Sequence, residues 1–142
     1  MNKILDNIDP QKNFSFSAKA EKKIDYIMEK YPPDRKASAV MPLLDLAQRE
    51  AGGWLPVSAL EIVADKVGLA YMRVLEIASF YTMYNLSPVG KYFVQVCTTT
   101  PCMIRGANKL VEACKEKISE NESELSIDKN CSRMEVECLG AC

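Results

Sequence analysis

Apolar residues recur at steps of three and four from Phe14 to about Leu86, the period of helices with one buried face, and the pattern then changes to alternation. Ile24, Ile27, Met28 and Tyr31 form the first stripe; Ser17 is placed to cap its helix and Pro32-Pro33 to stop it. A second helix is predicted from near Ser38, with Val40, Leu43, Leu44 and Ala47 inward. Pro42 is tolerated there because the first turn needs few intrahelical donors, and Gly52-Gly53 ends the helix. Ser58 and Glu61 read as a capping box opening a third, short helix with Leu60, Ile62, Val63 and Val67, which Gly68 closes in the left-handed conformation. The fourth helix is predicted from about Tyr71 to Tyr84, and its aromatic residues Phe80, Tyr81 and Tyr84 are expected in the core or at a subunit interface.

Beyond the linker "LSPVGK", "KYFVQV" is rich in aromatic and β-branched residues and reads as a strand. Residues 102–118 return to helical spacing through Ile104, Ala107, Val111, Cys114 and Ile118. "ENESELSIDKN" reads as a polar loop, with Cys131 assigned to it, and "RMEVEC" as a second strand with Met134, Val136 and Cys138 on one face. The expected organisation is a flexible N-terminus over residues 1–13, a helical bundle over 14–86 and a β-α-β unit over 87–142.

Composition narrows what such a chain does. Apolar residues make up 48% and charged residues 26% of 142, enough to bury a core and too apolar for a disordered chain. A net charge of −1 supplies no basic excess for a nucleic acid backbone, so nucleic acid is not an expected partner. No run approaches the roughly 18 to 20 apolar residues that span a bilayer, so no direct membrane insertion is expected, and the first residues carry no leader pattern. A cytoplasmic location follows, where six cysteines are reduced, buried or metal-bound rather than paired as disulfides. The chain has no histidine, which removes the commonest general base and zinc nitrogen ligand, and no G-x-G-x-x-G phosphate loop. No catalytic residue is assigned.

Candidate chemistry lies in two cysteine pairs, "CTTTPC" and "CLGAC". Cys97 falls just past the first strand. Thr100 reads as an N-cap and Pro101 as the first helical residue, which puts Cys102 in a first turn among free N–H groups that favour a thiolate. Cys138 and Cys142 flank a turn in which Gly140 permits positive φ. A right-handed parallel crossover would bring both loops to one edge of the sheet. Spacing leaves three occupants open: zinc, which accepts pairs separated by two to four residues; disulfides; and a [2Fe-2S] cluster, whose two irons take two thiolates each. The hydroxyls of Thr98, Thr99 and Thr100, with backbone N–H groups, are candidate donors to sulfur. Cys114 lies on an apolar stripe and reads as a core thiol; Cys131 is given no role. "ALEIVADKVGLAYMRVLEIA" places Ala64, Gly68 and Val74 as a helix-turn-helix would, the basis of a rival DNA-binding reading, but Arg73 and Glu76 beside aromatic residues make a poor base-reading surface.

"GKYFVQVCTTTPCM", "EVECLGAC" and "ASFYTMYNLSPVGK" resemble the small [2Fe-2S] component of respiratory complex I, the E-subunit family of NADH:quinone oxidoreductases, from about Phe14 to Cys142. Similar subunits serve NAD-linked hydrogenases and formate dehydrogenases. The resemblance implies an α+β chain: a helical bundle followed by a thioredoxin-like β-α-β ferredoxin domain. It implies one [2Fe-2S] cluster with Cys97, Cys102, Cys138 and Cys142 as ligands, and a partner flavoprotein that binds FMN and NADH and exchanges electrons with the cluster. Activity is then that of an NADH dehydrogenase complex at the inner face of a membrane, or on the matrix side in an organelle, with none expected of this chain alone. Members of the family continue past "CLGAC", so the chain reads as a truncated form with an incomplete thioredoxin-like domain.

Overall fold

The computed structural model describes residues 13–141. All but the last residue of the N-terminal segment expected to be flexible, and Cys142, lie outside them. The chain divides into two compact units at Ser87/Pro88. The first holds helices α1 (Ala18–Glu29), α2 (Val40–Glu50), α3 (Val57–Val67) and α4 (Tyr71–Phe80), with a 3-10 segment, Pro33–Ala39, leading into α2. The second runs β1 (Tyr92–Cys97), α5 (Thr100–Ile104), α6 (Ala107–Lys117) and β2 (Cys131–Val136). No helix among the described residues is long and apolar enough to cross a membrane.

The helical stripes meet as their spacing requires. Leu43 and Leu44 of α2, Leu60 and Val63 of α3 and Val74 of α4 are fully buried, and Ile27, Met28 and Tyr31 pack against them from α1 and the turn after it. Each such aliphatic side chain removed from water contributes about 1.5–3 kcal/mol before conformational entropy is counted. Ser17 caps α1 by accepting from the Ala20 N–H at 3.2 Å. Gly68 closes α3 at φ +73°, a conformation that costs most other residues about 1–2 kcal/mol.

The expected capping box is absent. Pro56 occupies the N-cap of α3 and makes no side-chain cap bond, so Ser58 already lies inside the first turn, where its Oγ accepts from the Phe14 N–H at 3.2 Å. α4 stops at Phe80, four residues before the expected end, because Tyr81 takes an extended conformation. The aromatic group then splits: Phe80 is 76% exposed, whereas Tyr84 is buried and donates its hydroxyl proton to the Met41 carbonyl at 2.9 Å. Ala64 and Val74, the supports of the helix-turn-helix reading, are core residues, and Arg73 is ion-paired with Glu76.

In the second unit β1 and β2 pair in parallel, from Tyr92 opposite Cys131 to Cys97 opposite Val136. Cys131 therefore opens a strand rather than sitting in a loop, and Cys97 ends a strand rather than following one. The helix predicted over 102–118 is broken in two by Gly106 at φ +97°, which leaves Ile104 79% exposed while Ala107 and Val111 stay inward. Cys138 lies beyond β2 and is exposed, so it does not share a strand face with Met134 and Val136. Among the described residues of this unit, Arg133 is the buried charge. Its guanidinium donates to the Ser119 carbonyl at 2.8 Å and to the Glu120 carbonyl, tying β2 to the segment that follows α6.

Entry into β1 depends on one glycine. A Cβ on Gly90 would lie 2.6 Å from the Asn130 carbonyl oxygen, a backbone atom that cannot swing away, and the Gly90 N–H donates to the buried Ser132 hydroxyl at 3.1 Å. Gly90→Ala is therefore expected to destabilise the β1–β2 unit by about 1–3 kcal/mol, in the range of overpacked cores. A lowered urea midpoint with unchanged slope checks this.

Candidate metal centre

Parallel pairing decides where the cysteines go. Both strands run the same way, so the loops that leave them, 98–99 after β1 and 137–141 after β2, emerge at the same edge. The ladder continues one step past the strands, with the Thr98 N–H donating to the Val136 carbonyl at 3.2 Å. Leu139, three residues after Val136, lies near enough for its backbone N–H to add a small favourable influence on the Cys97 thiolate. Ala141 lines a groove together with Cys97 and Cys102, so the second loop stays beside the first up to the residue before Cys142. Gly140, at φ +67°, makes this turn possible and donates its N–H to Cys138 Sγ at 3.3 Å.

The first loop differs by one residue from its expected form. α5 begins at Thr100, so its N-cap is Thr99 and not Thr100, yet Thr99 makes no side-chain cap bond. Its hydroxyl lies 3.1 Å from Cys97 Sγ instead. That hydroxyl is the largest of the influences holding the Cys97 thiol down to about 7 from 9.0; the Thr99 N–H, the Cys102 side chain and the Leu139 N–H add to it, against slight desolvation. Cys102 falls in α5 as expected, two residues past its start.

Cys97 and Cys102 are in direct contact, and Cys138 lies in the apposed loop. Among the described residues no three Cys, Asp or Glu side chains form a group ready to hold a metal, and Cys142 is outside them. Cys131 begins β2, six residues before the loop that carries Cys138, and its N–H donates to the Ser126 hydroxyl at 3.0 Å. Cys114 is half-buried rather than core, and lines the same groove as Cys97 and Cys102. The expectation of a fully buried thiol fails there, although Cys114 shares α6 with buried Ala107 and Val111.

The donor set suits thiolate ligands. Sulfurs that carry negative charge need hydrogen-bond donors, and here backbone N–H groups of Thr99, Leu139 and Gly140 and one hydroxyl point at Cys97 and Cys138, with no carboxylate among them. Disulfide pairing is absent from all five described cysteines.

The family of thioredoxin-like [2Fe-2S] ferredoxins matches residues 24–142. The E subunit of the NADH-quinone oxidoreductase of Rickettsia bellii (strain RML369-C) is 54% identical over 130 residues, covering 92% of this chain and 78% of that protein. Its counterpart in Rickettsia prowazekii (strain Madrid E) is 50% identical over 129 residues, covering 91% of this chain and 73% of its own length. The mitochondrial NADH dehydrogenase [ubiquinone] flavoprotein 2 of Dictyostelium discoideum is 46% identical over 129 residues, 91% of this chain and 52% of that protein. A parallel strand pair with its cysteine loops at one edge, and similarity that runs through both loops, lead to the same conclusion: the chain belongs to the thioredoxin-like [2Fe-2S] ferredoxin family, alongside the E subunits of NADH-quinone oxidoreductases.

Proposed function

We propose that this chain is an electron-transfer subunit of an NADH:quinone oxidoreductase and that Cys97, Cys102, Cys138 and Cys142 hold its [2Fe-2S] cluster. The observation that carries the reading is the parallel strand pair that delivers both cysteine loops to one edge, where Ala141 of the second loop lines a groove with Cys97 and Cys102 of the first. When bound, such a cluster supplies one-electron exchange. The chain's own residues supply the rest: four thiolates for ligation, N–H groups of Thr99, Leu139 and Gly140 that offset sulfur charge, and a rim at which two loops stay in register.

The partner in this reading is the flavoprotein subunit that holds FMN and NADH, with whose flavin this chain would exchange single electrons. The names of the similar proteins support an oxidoreductase that works within a multi-subunit, membrane-associated complex; in this reading the chain lies at its cytoplasmic or matrix face. Exposure of Cys138 and of Leu139 at the loop rim fits a site that must come close to another protein's cofactor.

Two tests follow. Serine variants of Cys97, Cys102, Cys138 and Cys142 are each expected to lose or destabilise the visible absorbance of the cluster, and Cys114→Ser to keep it; equal spectra across all five would refute the ligand assignment. In cluster-free protein the donors around Cys97 are expected to bring its thiolate midpoint down to about 7, so its alkylation should rise through that pH and fall away below it. Peptide-resolved mass spectrometry reads the midpoint, and one near 9 would show that the loop donors do not act on this sulfur.

A further inference from the structure

A threonine at a helix N-cap ordinarily accepts a bond from the second or third N–H of its helix, and loss of that bond costs about 0.5–2 kcal/mol. Thr99 stands at the N-cap of α5 with the extended backbone the position requires, φ −66° and ψ 161°, and makes no such bond. Its hydroxyl is turned the other way, 3.1 Å from Cys97 Sγ. The other donors to this sulfur include backbone N–H groups of Thr99 and Leu139, which a substitution leaves in place. The hydroxyl of Thr99 is a donor that sequence can switch on or off.

Resting on the reading above, in which Cys97 is a cluster ligand, we infer that Thr99 is a positioning residue that sets the reduction potential of the cluster through its hydrogen bond to Cys97. As a thiol, Cys97 can share this bond in either direction; as a metal-bound thiolate it has no proton, so the Thr99 hydroxyl must donate. Reduction adds one electron, given up by the partner's reduced flavin, and breaks no bond. Part of the added negative charge falls on the ligand sulfurs, so a donor fixed on one of them stabilises the reduced state more than the oxidised state and raises the potential. The cap bond that α5 forgoes is the local cost, borne by a five-residue helix held by its loop.

The experiment is an EPR-monitored redox titration of the cluster-loaded chain and its Thr99→Val, Thr99→Ala and Thr99→Ser variants, with dithionite as reductant. Thr99→Val keeps the branched shape without the donor and is expected to lower the equilibrium constant for reduction about three- to tenfold, where tenfold is about 59 mV for a one-electron couple. Thr99→Ser keeps the hydroxyl and is expected to stay within twofold of the parent. A valine variant within twofold of the parent, or a serine variant shifted as far as valine, overturns the inference. If valine does not load, alanine is read by the same criterion. Loss of the cluster from both, with normal loading in serine, makes the hydroxyl a requirement for retention and also overturns the tuning role. Cys97→Ser separates this inference from the reading beneath it. A parental spectrum in that variant removes Cys97 from the ligands, whereas a lost cluster with unshifted Thr99→Val leaves the ligand assignment standing and removes only the role of Thr99.

Discussion

Parallel pairing of β1 with β2 is the constraint on which the site depends. Antiparallel strands would send the loops that follow them to opposite ends of the sheet; parallel ones deliver both to the same end, and the register opposite Cys97 and Val136 sets their stagger. From there the second loop stays beside the first, with Ala141 lining a groove together with Cys97 and Cys102. The close approach of Gly90 to the Asn130 carbonyl and the buried bonds of Arg133 hold this pair together from its other end and its flank. None of these residues is a candidate ligand, yet each bears on whether the sulfurs meet.

The electrostatic problem is one of like charge. In the proposed site four thiolates would repel, and hydrogen-bond donors to sulfur would offset part of that charge. At Cys97 the Thr99 hydroxyl is the largest of these donors, and backbone N–H groups add to it; Gly140, at positive φ, lets the main chain turn its N–H onto Cys138. Thr99 reaches Cys97 because the chain leaves β1 and enters α5 within three residues, and the same side chain faces both the helix end and the sulfur.

Much of this architecture is legible in the sequence, and the departures have local causes. The apolar stripes gave the core leucines and valines of the first unit, and Gly68 its helix end, because period and glycine conformation are backbone properties. Ser58 misled because Pro56 had moved the helix start upstream, and a capping motif carries no signal of its own register. The continuous helix over 102–118 was a plausible period read across Gly106, and that glycine was the available clue to the break. Thr99 and Thr100 are indistinguishable by type; only the strand's last residue, Cys97, fixes which of them reaches sulfur. Arg133 left no trace because its partners are main-chain carbonyls of Ser119 and Glu120, which carry no residue signature. The parallel edge, the two loops beside it and three candidate threonine donors were readable; which of them reaches Cys97 was not.

Convergence of two loops on one pair of iron atoms is the central claim, and metal content with spectroscopy on one anaerobic sample tests it most directly. The account predicts about two irons and two acid-labile sulfides per chain, broad visible absorbance, and a rhombic EPR signal that appears on one-electron reduction. A colourless protein that retains one zinc per chain through iron-sulfide reconstitution, and stays EPR-silent on reduction, would contradict it.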